Sequence, residues 1–132
     1  MKLGLMTAAL GEMDLDGVAG WAAAEGFQTL EVACWPMVTG DRRRYAGVSH
    51  IDVDALDAAG VTAIRRSLSA GGLEISSLAY YPNNLDPDTA VRSAAHEHLR
   101  KVIVAAEQLG VALVGTFIGR DPNRSVADNL AE

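Results

Sequence analysis

Residues 72–87 read GLEISSLAYYPNNLDP, and their order decides the fold class. Gly72 can close a preceding helix in a left-handed conformation. Residues 73–79 then read as a short strand, followed by an aromatic and amide cluster, Tyr80, Tyr81, Asn83 and Asn84. Asp86 and Pro87 suit the N-cap and first position of a new helix. Helix stop, strand, polar loop and helix start together make one βα unit of a parallel sheet. Ligands of such sheets sit beyond the carboxyl ends of the strands, which is where these tyrosines and asparagines fall.

The same grammar recurs on either side. Upstream, residues 2–6 are a short apolar run, with Leu3 and Leu5 on one face and Gly4 and Met6 on the other. Asp14 caps a helix whose Leu15, Val18, Ala22 and Ala23 follow helical spacing, and Gly26 ends it. Residues 29–34 form the second strand, where Leu30 and Val32 alternate with Glu31 and Ala33. A long loop runs to about His50. Asp52 or Asp54 can start a short helix, and Val61, Ile64 and Leu68 mark another that stops at Gly71 or Gly72. Downstream, residues 88–109 form the longest helix, with Gly110 as its stop. Its apolar stripe is read as Val91, Ala94, Ala95, Leu99, Val102, Ile103, Ala106 and Leu109. Residues 111–117 are the fourth strand, and Ser125 with Asp128 gives a capping-box-like start to a last short helix.

Gly26, Gly72 and Gly110 each follow a helix and precede a strand, about forty residues apart. Strands alternating with helices predict an α/β chain of parallel βα units. A (β/α)₈ TIM barrel takes roughly 250 residues, so 132 residues are expected to form a single domain comprising about half of one. A small doubly wound, flavodoxin-like sheet is the structural rival. Against it, the first strand leads into Thr7, Ala8, Ala9, Leu10 and Gly11, which is no glycine-rich phosphate loop.

Composition narrows the partners. Eleven Lys and Arg against 17 Asp and Glu give a net charge of −6, which argues against a nucleic-acid surface. No apolar run approaches a membrane span, and acidic residues come too early in MKLGLMTAALGEMD for a signal peptide. The single Cys34 excludes an internal disulfide and fits a reducing compartment, so a cytoplasmic location is expected.

Glu31 is the most informative residue. If Leu30 and Val32 face covering helices, Glu31 turns to the opposite face, the interior of a barrel, where an ionised carboxylate is costly unless paired or used. It reads as a polar anchor beneath an active-site mouth, or as one member of a buried ion pair. His50, Asp52 and Asp54 form H-x-D-x-D, which could hold a divalent ion. The two aspartates fit helix capping better, and His50 reads as a loop histidine facing substrate or solvent. Tyrosine hydroxyls and asparagine amides suit sugar hydroxyls, although Asn beside Pro82 is also turn punctuation. Arg42, Arg43 and Arg44 could clamp a phosphate but fit a solvated loop better. Arg120 and Arg124 could reach an anionic substrate, and loop solvation explains them equally well. His96 and His98, two apart on a helix, cannot form an i, i+4 ligand pair and read as surface residues. Cys34 reads as a small core residue.

At its strand ends the sequence resembles the sugar phosphate isomerase/epimerase family, the xylose isomerase-like barrels. The matching pieces are KLGLMTAALG, GFQTLEVACWP, SHIDVDAL, LEISSLAYYPNNLDPD and LGVALVGTFIGRDPNRSVADNLAE, in this order and spacing. The resemblance implies a metal-dependent enzyme that moves a proton between adjacent carbons of a sugar, sugar phosphate or polyol. A divalent ion (Mn, Mg or Zn) would polarise the substrate oxygens. In the family the metal ligands and acid/base glutamates come from later strands. The chain is therefore expected to carry the N-terminal half only, to bind no metal alone, and to lack turnover by itself. Glu31, Trp35, His50, Tyr80, Asn83 and Thr116 match the family's pattern as first-half wall residues, expected to line the substrate pocket. The rival expectation is a half-barrel binding or assembly module that pairs with a second copy through its open edges.

Overall fold

The computed structural model describes residues 1–37 and 46–132. Strands β1 (Gly4–Met6), β2 (Thr29–Ala33), β3 (Glu74–Ala79) and β4 (Val114–Gly115) form one sheet in the order β1-β2-β3-β4, and every neighbouring pair is parallel. The helices α1 (Leu15–Ala24), α2 (Ala58–Ala70) and α3 (Thr89–Leu109) fill the crossovers, and α4 (Val126–Leu130) follows β4. A doubly wound sheet reverses its strand order where the crossovers change sides. This order runs in sequence without reversal, as a barrel wall does, so the flavodoxin-like alternative falls.

The caps show why the helices start where they do. Asp14 accepts the Gly17 N–H at 2.8 Å to open α1, and the chain leaves that helix through Gly26 at φ 83°. Gly110 closes α3 at φ 69°. Two starts differ from the sequence expectation. The cap of α2 is Asp57, which accepts the Gly60 N–H at 2.7 Å. Asp52 and Asp54 begin no helix: Asp52 takes the Asp54 N–H at 3.0 Å in a local turn, and Asp54 pairs with Lys101 of α3 at 2.7 Å. The cap of α3 is Asp88, not Asp86, because its carboxylate reaches the N–H groups of both Ala90 and Val91. Asp86 instead accepts the Asp88 N–H one turn earlier, which leaves Pro87 outside the helix. Ser125 caps α4 by accepting the Asp128 N–H at 3.1 Å while its hydroxyl donates to the Asp128 carboxylate, a side-chain variant of the box the sequence suggests.

The fourth strand is shorter than its apolar run. Among the described residues it pairs with β3 alone, through Leu78↔Val114 and Ala79↔Gly115, and its ladder stops there. A 3₁₀ turn over Thr7–Leu10, which the sequence reading did not anticipate, follows β1. Its buried Thr7 hydroxyl accepts the Ala33 N–H at 2.9 Å and so ties the first loop to the end of β2.

The core lies between the sheet and its helices. Leu30, Val32, Cys34 and Leu78 are fully buried there with Val18 and Ala22 of α1 and Val102 of α3. Fully burying an aliphatic side chain contributes about 1.5–3 kcal/mol, so this layer dominates stability. A smaller cluster, Ala8, Ala33 and Val48 with Met6 against it, lies apart from that core.

Between β2 and β3 the register slips by one residue. Leu30 faces Ile75, but Glu31 faces Ser77, and the skipped Ser76 turns its hydroxyl to the Leu30 carbonyl at 3.0 Å. An extra residue of this kind flips every later side chain to the other face. That slip sets Leu78 beside Val32, both fully buried in the helix-side core.

Candidate functional site

Because all four strands run the same way, their carboxyl ends open on one side. A cavity of about 420 Å³ lies there, lined by Met6, Ala8 and Ala9 after β1, Trp35 after β2, Tyr81 after β3 and Phe117 after β4, with Ala46 closing it. Its wall is mainly apolar and aromatic. The Tyr81 hydroxyl, on that wall, donates to the Glu31 carboxylate from the middle of β2. The bond to Glu31, reinforced by burial and the nearby negative charge, pushes the Tyr81 hydroxyl up to about pH 12, so it remains a proton donor at neutral pH. Gly115, opposite Ala79 on β4, makes room for the pair, since a side chain there would collide with the Tyr81 hydroxyl. Glu31 thus lies on the face away from Leu30 and Val32, held by a hydrogen bond rather than by an ion pair.

The two neighbouring tyrosines divide. Tyr80 is buried on the helix side, its ring edge-on to Trp35 at 5.0 Å and to His98 at 4.7 Å. Tyr81 lines the cavity and packs against Phe117 at 4.7 Å between ring centroids. Strict alternation along residues 73–81 would have exchanged these two roles; the slip at Ser76 decides between them.

Other expected wall residues serve the loops themselves. Asn83 donates to the Arg120 carbonyl at 2.9 Å and accepts the Arg120 N–H at 2.8 Å, locking the loop after β3 to the loop after β4. Asn84 donates to the Thr116 hydroxyl at 3.1 Å and to the Phe117 carbonyl. His50 is half-buried on the strand-like return beside Cys34 and Ser49, and its N–H donates to the Ala33 carbonyl at 2.9 Å. Arg42, Arg43 and Arg44 lie outside the described residues.

His96 and His98 are not surface residues. His98 is buried with its Nε2 2.9 Å from the Cys34 carbonyl, and half-buried His96 places its Nε2 2.9 Å from the Asn84 carbonyl. One helix thereby holds the loops that follow β2 and β3. The signal was present in the periodicity: the buried stripe of α3 is Ala95, His98, Val102, Ala105, Ala106 and Leu109, and it passes through His98. Val91, Ala94 and Ile103, assigned to that stripe from their apolar character, are exposed. Cys34 is buried, and burial raises its thiol to about 12, which removes it as a nucleophile.

The H-x-D-x-D residues do not converge, since Asp52 serves its turn and Asp54 serves Lys101. Among the described residues no three His, Cys, Asp or Glu side chains gather to hold a metal ion. The carboxylate at the mouth, Glu31, is taken by Tyr81. These residues therefore do not fit the divalent ion that the resemblance implies. Among the described residues no helix is long and apolar enough to cross a membrane.

Comparison with known proteins agrees with this geometry. No curated protein sequence matches the chain. Among solved structures, the chain is similar to the probable 3-DHS dehydratase AsbF of Bacillus anthracis, a protein involved in petrobactin synthesis, with a TM-score of 0.59 at 16% identity. The match covers 89% of this chain and 38% of that one, and at this identity it shows a shared fold. The model of the xylose isomerase-like TIM barrel family matches residues 19–132. With a sequential parallel sheet, a mouth at the carboxyl ends of its strands and a family match over most of its length, the chain belongs to the xylose isomerase-like TIM barrels.

Proposed function

We propose that this chain supplies one half of the substrate wall of a sugar or sugar phosphate isomerase or epimerase, an enzyme that transfers a proton between adjacent carbons of a polyol. The observation that carries the reading is the Tyr81–Glu31 pair at an aromatic cavity of about 420 Å³ on the face where barrels of this kind do chemistry. Aromatic rings cover the C–H face of a sugar, and a hydroxyl already bonded to a carboxylate offers substrate hydroxyls both an acceptor and a fixed orientation. Trp35 and Phe117 supply the flat walls, while Tyr81 and Glu31 orient. A divalent ion would polarise the substrate oxygens in the complete barrel, and its ligands would come from outside these four strands. In this proposal the chain alone has no isomerase turnover with Mn²⁺ or Mg²⁺, and robust turnover would overturn that assignment.

Binding tests the wall directly. Fructose or myo-inositol titrated into the isotopically labelled chain is expected to move the Trp35 indole N–H resonance. Tyr81→Phe should weaken that response about 5–10-fold, the value of one hydrogen bond to a charged network. If no polyol moves Trp35, the cavity is not a polyol site.

A second reading, a half-barrel that self-associates, is favoured by the exposed apolar side chains around β4 and α4. Leu113, Phe117, Ile118, Val126 and Leu130 are all more than half exposed there. Edge strands are ordinarily covered, and two copies could close on each other with two-fold symmetry. Light scattering that gives one chain mass for a folded sample would count against it.

A further inference from the structure

Beside the aromatic cavity lies an open groove of about 640 Å³, lined by Tyr81, Pro82, Asn83, Phe117, Arg120 and Pro122, with Gly119 at its turn. Tyr81 and Phe117 belong to both hollows, so one pair of rings is the partition between them. The cavity side offers rings and the Tyr81–Glu31 pair; the groove side has Arg120 as the cationic residue of its lining.

Among the described residues, Arg120 differs from its basic neighbours in having no acid paired with it. Arg124 is committed to Glu132 and to the Asp128 carbonyl, and Arg92 to the Asp86 carbonyl with Glu132 3.7 Å away. Asp121, next in sequence, spends its carboxylate on the Asn123 N–H at 2.8 Å. Among the described residues, no acidic side chain pairs with Arg120. Its backbone, by contrast, is fixed from both sides by the Asn83 amide and follows Gly119 at φ 80°. A cationic residue with a fixed backbone, without an acidic partner among the described residues and in a groove shared with two rings and two prolines, can receive a planar or tetrahedral anion. The chain's net charge of −6 gives such an anion no general attraction, so its retention depends on this local group.

We infer that cavity and groove are two compartments of one site, whose ligand is a polyol bearing a carboxylate or phosphate monoester, with the anionic end on Arg120 and the hydroxylated body against Trp35, Tyr81 and Phe117. This deepens the polyol reading of the cavity and rests on it.

The test is a set of titrations of the labelled chain with fructose 6-phosphate, gluconate, fructose and inorganic phosphate, read at the Trp35 indole and at the Gly119 and Arg120 amides. Fructose 6-phosphate or gluconate should move both sets of resonances and bind about tenfold more tightly than fructose. Whichever of the two binds identifies phosphate or carboxylate as the anion. Arg120→Gln should abolish that preference and leave fructose binding unchanged, because the Asn83 lock uses only the Arg120 backbone; Arg120→Lys should restore part of it. Equal binding of charged and neutral sugars, or a preference that survives Arg120→Gln, overturns the inference while the polyol reading stands. Inorganic phosphate moving Arg120 with no sugar moving Trp35 overturns both.

Discussion

The Nε2 atom of His98 lies 2.9 Å from the Cys34 carbonyl, so a buried histidine of α3 closes the hydrogen bonding at the carboxyl end of β2. The same imidazole stands edge-on to Tyr80, whose ring in turn meets Trp35. A row of three rings therefore runs from a helix in the outer layer to the cavity wall. His98→Ala removes the partner of a buried carbonyl and leaves a void, which together should cost about 2–4 kcal/mol. Urea unfolding measures the loss, and a broadened Trp35 indole resonance in the folded variant would show that the row positions the wall.

Tyr81 links the site to pH. Its hydroxyl has its folded-state pKa raised from 10.0 to about 12, first by the bond to Glu31. The stabilisation from this bond is therefore fully present below about pH 10 and is lost as pH rises through the folded value. Phenolate absorbance should show Tyr81 ionising near pH 12, and Glu31→Gln should bring that step down towards 10. A Tyr81 step that stays put in Glu31→Gln would show that the carboxylate is not its cause.

Two glycines of positive φ should respond differently to alanine. Gly26, at φ 83°, has open space where a Cβ would go, so Gly26→Ala should cost about 1–2 kcal/mol from backbone strain alone. Gly119, at φ 80°, would drive a Cβ into the Asn83 amide and the chain at Asn84. Gly119→Ala should add a broken Asn83–Arg120 lock to the same strain, about 1–3 kcal/mol more. Thermal melts of the two variants, run in parallel, give the comparison.

Cys34 should be inert in the folded chain. With its thiol buried and raised to about 12, iodoacetamide should label it only through unfolding, at a rate that tracks the urea dependence of stability. Fast labelling in the absence of urea would mean that the end of β2 opens locally.

Much of this architecture is written in local chemistry. The three punctuating glycines, Gly26, Gly72 and Gly110, all take positive φ, and Asp14 and Ser125 cap where short-range rules place them. Glu31 on the face opposite Leu30 and Val32 follows from simple alternation. What escaped depends on competition or on distant partners. Asp52, Asp54 and Asp57 are chemically equivalent caps; Asp57 takes that role, while Asp54 pairs with Lys101, far along the chain. His98 is buried because the loop after β2 presents it with a carbonyl, a partner 64 residues away in sequence. The cavity residues Met6, Ala8, Tyr81 and Phe117 belong to separate strand ends, and only the closeness of those ends makes them one wall.

The slip at Ser76 gives the length of β3 a meaning that its composition lacks. Drawn into an unbroken ladder with all its residues, so that Glu31 faced Ser76, the strand would turn over from there onward. Leu78 and Tyr80 would be sent to the cavity face, and Tyr81 would be carried away from Glu31 into the helix layer. Deleting Ser76, by contrast, would leave Glu31 facing Ser77 and Val32 facing Leu78, so the later side chains would keep their faces. A segment grafted from a relative one residue shorter at this point would still bring the right letters to the right surface, and the spare residue is what the present length of β3 has to absorb.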